Sequence, residues 1–225
     1  MRRTKRLPPE ELQPYLLDLP RPLHGSADSG TPAWLDWRAV FGNDHPIEIE
    51  VGFGKGLFLL NAATARPDVN FAGIEIERKY QLFTATRLAV RKRTNVRVAC
   101  ADARLAFRDH VPAASVQAVH VYFPDPWWKK RHHKRRVFTD EFARECVRIL
   151  RPGGRLHVAT DVEDYFHLVL ETVAPLPLRA LPPPPEHEPQ HDLDYLTNFE
   201  RKARLQGKPI YRAVFERVEG DGSAK

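Results

Sequence analysis

The chain has few cysteines and no long apolar run, and each absence excludes a class of protein. Cys100 and Cys146 are too few for a disulfide framework or a cysteine-based zinc site. Because both lie in apolar patterns, we expect buried, reduced thiols. No run of about 18 apolar residues is present, so we expect no membrane-spanning helix. Pro8 to Glu11 occupy the stretch where a signal peptide needs apolar residues, so we expect a cytoplasmic protein.

The charge of the chain is concentrated in one segment. Lys and Arg exceed Asp and Glu by 35 − 29 = 6. The segment from Lys129 to Arg136 carries six basic residues and no acidic one, so formally it accounts for the whole excess. This run favours a polyanionic partner. An ordinary charged surface loop is the alternative.

The hydrophobic pattern predicts one α/β domain. Apolar runs predict strands, and 3.6-residue periodicity predicts helices between them. The predicted strands are 47–51, 71–76, 96–99, 116–122 and 155–160, and the predicted helices are 55–65, 77–92, 138–150 and 161–173. This alternation is typical of a doubly wound, mostly parallel sheet with helices on both faces, which binds ligands beyond the carboxyl ends of its strands.

The domain boundaries are read from composition. We expect the domain to span residues 41–225, including a Pro-rich loop at 175–190. Residues 1–40 form a basic, Pro-punctuated extension, and we expect Trp34, Leu35 and Trp37 to dock it on the domain.

A glycine-rich turn follows the first predicted strand, in Glu50-Val51-Gly52-Phe53-Gly54-Lys55-Gly56. Gly52, Gly54 and Gly56 allow a tight turn and let the backbone approach a bound nucleotide closely. A nicotinamide dehydrogenase is disfavoured because Leu57 stands where the dinucleotide fingerprint needs glycine. The spacing fits the G-x-G-x-G pattern of class I methyltransferases, and a plain strand-to-helix turn is the alternative.

Acidic residues also follow the next two strands. Glu75 comes 75 − 56 = 19 residues after the last glycine, where an acid can accept hydrogen bonds from both ribose hydroxyls of an adenosine. Asp102, just past the third strand, could accept from an adenine amino group. A solvated strand end for Glu75 and a helix N-cap for Asp102 are the alternatives.

The most specific segment is Phe123-Pro124-Asp125-Pro126-Trp127, which precedes the basic run. Two prolines rigidify the chain around Asp125, and aromatic residues flank it. A fixed carboxylate beside a stacking surface and a phosphate-binding strip suits recognition of an unstacked base.

This segment resembles the signature of the bacterial tRNA (guanine-N7)-methyltransferases, in which Phe-Pro-Asp-Pro-Trp precedes Lys and then Arg-His-x-Lys-Arg-Arg. The resemblance covers about residues 40 to 217 and extends to the glycine turn with Glu50, Gly73-Ile74-Glu75, Leu150 to Gly154, Ala159-Thr160-Asp161 and Thr197 to Glu200. Trp128 departs from the family pattern, where Pro or His is common, and so does His133, where Asn is common. These departures bear on the RNA-facing loop more than on the reaction.

The resemblance implies S-adenosylmethionine as cofactor and tRNA as partner. The implied reaction is methylation of guanine N7 in the variable loop, giving N7-methylguanosine and S-adenosylhomocysteine. By position, Glu50, Glu75, Asp102 and Asp125 would line the cofactor site, with Asp125 also of catalytic importance. Lys129, Asp161 and Thr197 to Glu200 would contact the RNA. We expect Arg135 and Arg136, in the same basic segment, to bind the substrate too.

Structural alternatives stay open for two of these positions. Asp161 could simply cap the helix that follows, with Thr160 and Glu163 forming a capping box. Thr197 and Glu200 have the same Thr-x-x-Glu spacing, so a helix start would explain them too.

Other functions remain compatible with parts of the pattern. One is a class I methyltransferase acting on another RNA or on a protein; another is a noncatalytic RNA-binding module. The histidines show no metal-ligand spacing, so we expect no metal site. The sequence leaves open whether the protein is a monomer or a homodimer.

Overall fold

The computed structural model describes residues 7–19, 34–127, 129–185, 188–191 and 193–219, and its centre is a seven-stranded sheet. In chain order the strands are β1 (Ile47–Val51), β2 (Asn70–Glu75), β3 (Val96–Cys100), β4 (Val116–Tyr122), β5 (Leu150–Thr160), β6 (Leu178–Leu181) and β7 (Tyr211–Arg217). Within these ranges the helices are α1 (Pro9–Leu12), α2 (Trp37–Phe41), α3 (Leu57–Ala65), α4 (Arg78–Val90), α5 (Ala103–His110), α6 (Asp140–Ile149), α7 (Glu163–Val173) and α8 (Asn198–Leu205), with 3₁₀ helices at Gln13–Tyr15 and Lys130–Arg135.

The strand order β3-β2-β1-β4-β5-β7-β6 confirms the predicted doubly wound, mostly parallel sheet. Strands β1 to β5 run parallel, whereas β7 is antiparallel to β5 and β6 is antiparallel to β7. β1 and β4 are neighbours at the middle of the sheet. From β1 the chain continues outward through β2 and β3 on one side, and from β4 it continues outward through β5 on the other. The carboxyl ends of β1 and β4 therefore flank the crevice in which such sheets bind ligands.

Apolar side chains on both faces of the sheet hold the helices in place. The odd-numbered residues of β1 join a cluster with side chains of α5, α6 and α7, in which the rings of Phe107 and Phe142 stack with centroids 5.4 Å apart. The opposite face is covered by α3, α4 and the N-terminal segment. Since successive strand residues alternate between faces, Glu48 and Glu50 are buried on that second face.

The C-terminal third contains more regular structure than the sequence pattern predicts. Strand β6 lies inside the expected Pro-rich loop, so the prediction of a loop over all of 175–190 is wrong. The pattern also does not predict α8 or β7. Strand β6 has only four residues at the sheet edge and is partly exposed, so its apolar signal is weak.

Several predicted boundaries shift by a few residues. Strand β5 begins at Leu150 instead of residue 155, because the Pro-Gly-Gly turn continues the strand through a shift of register opposite Val116. Helix α5 follows β3 without having been predicted, and the basic segment is a 3₁₀ helix. Both cysteines are free, and Cys146 is buried as expected, whereas Cys100 is half-buried.

The N-terminal segment docks on the domain through two short stretches. Leu12 and Tyr15 are buried in the cluster beneath α4, and the backbone N–H of Leu17 donates to the carbonyl of Val98 at 3.0 Å. Residues 1–6 and 20–33 lie outside the described residues. In the described ranges, no helix is long and apolar enough to cross a membrane.

The two tryptophans of the extension dock differently. Trp37 is anchored, since its Nε1–H donates to Oγ of Ser115 at 3.2 Å. Leu35 packs against the core, whereas Trp34 stays 47% exposed with the guanidinium of Arg148 over its ring.

Candidate active site

The glycine turn between β1 and α3 has the backbone conformation that its sequence predicts. Gly52, Gly54 and Gly56 all have positive φ, at 74°, 51° and 65°. A Cβ atom on Gly56 would lie 2.3 Å from Cγ2 of Thr84, so this glycine lets α3 start against α4. A Cβ on Gly52 or Gly54 would meet nothing within 4 Å. These two glycines therefore border open space at the crevice.

Glu75 is buried at the end of β2, and the backbone holds its carboxylate in place. Its Oε2 accepts from the N–H of Gly54 at 2.9 Å, and its Oε1 accepts from the N–H of Glu77 at 3.1 Å. A carboxylate offers about four acceptor sites, so lone pairs remain for a ligand with hydroxyl groups. The carboxylate is thus fixed against the glycine turn and still able to accept.

Glu50 on β1 is buried and incompletely satisfied. Its side chain is 3% exposed, and its Oε2 has no hydrogen-bond partner among the described residues. Burial, reinforced by the negative charge of Glu75, raises the pKa of Glu50 well above its usual value. A buried polar atom without a partner is costly, and its presence in a native fold calls for a ligand or another explanation.

These features fit the adenosyl cofactor that the resemblance implies. The space beside Gly52 and Gly54 is open, Glu75 presents acceptors at its edge, and Glu50 has an oxygen that needs a donor. A ligand with hydroxyl donors and positive charge would satisfy both carboxylates and relieve their repulsion. S-adenosylmethionine carries both.

Asp102 has the structural role that was the alternative interpretation. It is the N-cap of α5, and its Oδ1 accepts from the backbone N–H of Arg104 at 3.0 Å. The Arg104 guanidinium also contacts both carboxylate oxygens, at 3.1 and 2.6 Å. Burial tends to raise the pKa of Asp102, but the hydrogen bonds from Arg104 outweigh it and hold the pKa below its usual value. Contact with the adenine stays a prediction.

The Pro-Asp-Pro corner has unusual backbone geometry at both ends. Phe123 and Trp127 have φ of 51° and 45°, a region that bulky residues rarely adopt and that is often found at functional sites. Between them Asp125 is exposed and makes no hydrogen bond or ion pair with the described residues. The corner therefore presents a free carboxylate at the end of β4, beside the turn that follows β1.

The basic segment supports this corner from one side. Arg136 donates from Nε to the carbonyl of Pro126 at 2.7 Å, and its guanidinium lies over the ring of Tyr165. Arg135 is exposed, and its guanidinium stacks 5.1 Å from the centre of the Trp127 ring. Lys129 is exposed too. Arg136 thus fixes the corner, whereas Lys129 and Arg135 face outward.

The two departures from the family pattern lie in this segment. Trp128 lies outside the described residues, and the side chain of His133 is not among the described side chains.

Asp161 does not cap the helix that follows it. Helix α7 begins at Glu163 with Val162 as N-cap and no side-chain cap, so the capping-box alternative for Thr160 and Glu163 is wrong. Instead Oγ1 of Thr160 accepts from the N–H of Val162, and Asp161 pairs with Nζ of Lys208 at 3.2 Å. Its carboxylate lies just past the end of β5 and is partly exposed.

Thr197 and Glu200 start a helix, as the alternative interpretation held. Oγ1 of Thr197 accepts from the N–H of Glu200 at 3.0 Å, and Oε2 of Glu200 accepts from the N–H of Leu196 at 2.8 Å. Both side chains are buried, and Glu200 also binds the guanidinium groups of Arg204 and Arg212. Their contact with RNA stays a prediction.

Helix α8 packs against the Pro-Asp-Pro corner. Phe123 packs with Ala203 of α8, and its ring stacks on Phe199 with centroids 6.4 Å apart. Phe199 is 55% exposed, so an aromatic face lies in solvent close to Asp125. The structure therefore brings the 123–127 and 197–200 segments together, although 70 residues separate them in sequence.

A buried polar network on the α3 face was missed by the sequence interpretation. Arg66 binds both oxygens of Glu48, and Nε2 of His120 lies 2.9 Å from Oε2 of Glu48. Burial holds the pKa of His120 below its usual value, so the neutral ring donates to Glu48 and accepts from the Tyr122 hydroxyl, 2.9 Å away. His157 stacks on His120 with centroids 4.8 Å apart. The alternation of β1 and β4 was the available signal, since it places Glu48 and His120 on one face.

Relatives with known names identify the family. The family described as "Putative methyltransferase" matches residues 44–213. A tRNA (guanine-N(7)-)-methyltransferase of Rhodopirellula baltica is 47% identical over 193 residues, which are 83% of this chain and 71% of the relative. Proteins of the same name from Hydrogenovibrio crunogenus and Aliivibrio salmonicida are each 38% identical, covering 82% and 81% of this chain and 77% of each relative.

Solved structures share the fold at low identity. The 16S rRNA methyltransferase KamB aligns with a TM-score of 0.60 and 13% identity, over 83% of this chain and 95% of that one. The 16S rRNA (adenine(1408)-N(1))-methyltransferase of Catenulisporales acidiphilia, solved with S-adenosylmethionine, has a TM-score of 0.57 and 15% identity, over 84% and 95%. The structures show a class I methyltransferase fold. By its sequence relatives, the chain belongs to the S-adenosylmethionine-dependent tRNA (guanine-N7)-methyltransferases.

Proposed function

We propose that the chain methylates N7 of the variable-loop guanine of tRNA, with Asp125 placing the base. Transfer of a methyl group from S-adenosylmethionine to N7 of a tRNA guanine is the activity of the family. The observation that carries the assignment of residues is the pair of neighbouring strand ends. After β1 lies an unsatisfied acidic site, and after β4 lies a free carboxylate in a rigid corner.

On the cofactor side, Glu50, Glu75 and the backbone of Gly52 and Gly54 would hold S-adenosylmethionine. Glu75 is oriented by two backbone N–H groups, so it can accept from hydroxyl donors without reorganising. Burial and Glu75 raise the pKa of Glu50 because its negative charge has no counter-charge, so a cationic ligand would stabilise the ionised carboxylate and be favoured over a neutral ligand. When bound, the cofactor supplies a sulfonium methyl group, which passes to N7 while the electron pair of the broken bond stays on sulfur.

On the substrate side, the protein has mainly to place the base. Guanine N7 carries a lone pair and no proton, so the attack needs no general base, and placement dominates catalysis. Asp125 can accept hydrogen bonds from guanine N1–H and N2–H, or it can stabilise the positive charge that the methylated ring acquires. The exposed ring of Phe199 lies close enough to this corner to offer a stacking surface for an unpaired base.

The RNA backbone would contact the outward-facing cations. Lys129 and Arg135 are exposed beside the corner, and Arg136 holds the corner in place through Pro126. Asp161 and the 197–200 segment border the same region from β5 and α8. The reduced thiols of Cys100 and Cys146 and a tRNA substrate both support a cytoplasmic location.

One assay tests the proposed target. The protein is incubated with labelled S-adenosylmethionine and with tRNA transcripts, and the modified nucleoside and its position are identified by mass spectrometry. The matched control is a transcript in which adenosine replaces the variable-loop guanine. We expect N7-methylguanosine at one position of the first transcript and none in the second. Methylation that persists in the control, or a different methylated nucleoside, would contradict the proposed target.

A further inference from the structure

Helix α4 and its C-terminal turn carry a second basic run, apart from the Lys129 to Arg136 segment. Between Arg78 and Ala101 there are seven basic residues and no acidic one. Lys79 pairs with Glu77 at 3.1 Å, and Arg97 is occupied by the carbonyls of Thr94 and Val96. The remaining cations are therefore the ones whose role needs an explanation.

Four cations extend from the glycine turn to the C-terminal end of α4. Arg87 donates to the carbonyl of Lys55, in the turn itself, and Arg91 lies one helical turn further along and donates to the carbonyl of Arg87 at 3.5 Å. Lys55, Arg91 and Lys92 are exposed, and none of the four makes an ion pair with the described residues. We call Lys55, Arg87, Arg91 and Lys92 the α4 basic surface.

Neither helix stability nor the cofactor accounts for this surface. Cations near a helix C-terminus interact favourably with the helix dipole, but the effect reaches only the last turn and does not explain Lys55. Arg87 and Arg91 are like charges four residues apart, which destabilises a helix slightly. Their proximity, together with burial as the larger cause, lowers the pKa of Arg87 to about 10. S-adenosylmethionine is itself a net cation, so positive charge beside the glycine turn opposes its binding.

We propose that the α4 basic surface binds the sugar–phosphate backbone of the tRNA, as a second contact apart from the guanine and the Lys129 to Arg136 segment. The proposal rests on tRNA being the substrate. Lys55 lies in the turn that follows β1 and the basic segment follows β4, so this end of the α4 basic surface borders the same crevice as the basic segment. Arg91 and Lys92 lie at the other end of the surface, toward the edge of the sheet where β3 begins. Double-stranded nucleic acid carries about one negative charge per 1.7 Å of axis, so a tRNA arm can contact cations well away from its reacting nucleotide.

The test compares two double variants with the same loss of charge. Arg91→Gln with Lys92→Gln removes two cations of the α4 basic surface. Arg38→Gln with Arg179→Gln removes two exposed arginines that pair with Asp44 and Glu216. The KM for tRNA, the salt dependence of tRNA binding, the cofactor affinity and the melting temperature are measured for both variants and for the wild-type protein.

For the α4 variant we expect a KM for tRNA about 3- to 10-fold higher at physiological salt. The slope of log Kd against log salt should fall by about 1.4 to 1.8, since each phosphate contact contributes about 0.7 to 0.9. Cofactor affinity, melting temperature and kcat at saturating tRNA should match those of the wild type. The control variant should keep the wild-type slope.

An α4 variant whose salt slope and KM equal those of the control would overturn the proposal. A failure of the proposed function would look different. In that case the wild-type protein would bind tRNA and transfer no methyl group to guanine N7, whatever the variants do.

Discussion

The proposed cofactor site and the proposed RNA contact lie side by side, yet they are built in opposite ways. We call the first, with Glu50 and Glu75, the cofactor edge, and the second, with Asp125, Lys129 and Arg135, the RNA-facing segment. At the cofactor edge Glu50 and Glu75 are buried, at 3% and 8% exposure, and backbone N–H groups orient Glu75. In the RNA-facing segment Asp125, Lys129 and Arg135 are exposed and make few internal contacts. A small ligand is recognised by short, directional hydrogen bonds in a preformed site. A polyanion is recognised by the sum of exposed charges, each of which contributes little alone.

Asp125 lies in a rigid corner and is also exposed, so it shares a feature with each region. Its substitution should have the largest effect on kcat/KM. For Asp125→Ala we expect kcat/KM to fall about 100- to 1,000-fold, since removal of one preorganised group costs roughly 3 to 4 kcal/mol of transition-state stabilisation. Single-turnover kinetics with saturating cofactor would measure the chemical step separately from binding.

Asp125→Asn distinguishes the two roles of this carboxylate. If Asp125 accepts hydrogen bonds from guanine, the amide oxygen of Asn should recover part of the rate. If it stabilises positive charge, Asn should be as slow as Ala. Near-normal turnover of both variants would refute a central role for Asp125.

At the cofactor edge, directional recognition makes single changes costly. For Glu75→Gln we expect cofactor affinity to fall about 10- to 100-fold, because a hydrogen bond to a charged group contributes roughly 1.5 to 3 kcal/mol. Calorimetric titration would measure this. The matched control is Glu77→Gln, an exposed residue two positions away that pairs with Lys79. Equal losses in both variants would argue against a cofactor contact by Glu75.

Glu50 should show a trade-off between stability and binding. Its pKa is raised in the folded protein, so its contribution to stability is present at low pH and is lost as the pH rises through the folded-state pKa. At pH 8 Glu50→Gln should therefore raise the melting temperature of the cofactor-free protein while weakening cofactor binding. A variant with a lower melting temperature and unchanged affinity would contradict the assignment.

In the RNA-facing segment, charges should act additively and with strong salt dependence. Lys129→Ala combined with Arg135→Ala should weaken tRNA binding about 10-fold at physiological salt and lower the log–log salt slope by about 1.4 to 1.8. Filter binding over a salt series would measure both quantities. An unchanged slope would mean that these two cations do not contact the RNA backbone.

The smallest expected effect is on stability and concerns His157, in the buried polar network around Glu48 and His120. This network is part of neither the cofactor edge nor the RNA-facing segment. Burial, with the nearby His120 ring as a further cause, lowers the pKa of His157 to about 3. The folded pKa is thus below the unfolded one, so stability is lost as the pH falls below about 6.5, where only the unfolded chain takes up the proton. Between pH 7 and pH 5 we expect His157 to account for about 1 to 2 kcal/mol of lost unfolding free energy.

Urea denaturation at both pH values measures this contribution. His157→Asn should flatten the pH dependence, whereas His167→Asn, at an exposed position, should leave it unchanged. Parallel pH profiles for the two variants would show that the His157 ring does not titrate as described.

Much of the fold could be predicted because its signals are local. The predicted bounds of β1 and β4 match the structure residue for residue, since the alternating Ile47, Ile49 and Val51 and the apolar residues of 116–121 mark strands packed against helices. Strand β6 could not be predicted because it has four residues and none of them is fully buried, so it leaves no clear apolar pattern. Helix α8 was visible only as the Thr-x-x-Glu start at Thr197, a pattern that also matched the substrate segment of the family.

For the site residues too, local features could be predicted from the sequence, whereas contacts that depend on the tertiary structure could not. Gly52, Gly54 and Gly56 permit the turn and the two prolines restrict the corner, so the place of both at strand ends could be inferred. The positive φ of Phe123 and Trp127 runs against the preference of bulky residues and could not. The partners of Asp102 and Glu200 could not. Arg104 lies two residues from Asp102, but its contact depends on side-chain rotamers, and Arg212 reaches Glu200 only because β7 returns beside β5.

The residues alone determine that this chain is a doubly wound α/β domain with a glycine turn, a rigid acidic corner and a strongly basic segment. Hydrophobic periodicity and the φ preferences of glycine and proline act within a few residues, and they need no knowledge of the rest of the chain. Which acid is left without a partner, which cation faces solvent and which aromatic ring stacks beside Asp125 depend on contacts between residues far apart in sequence. Only the packed sheet decides these, because burial and charge pairing are properties of neighbours in space.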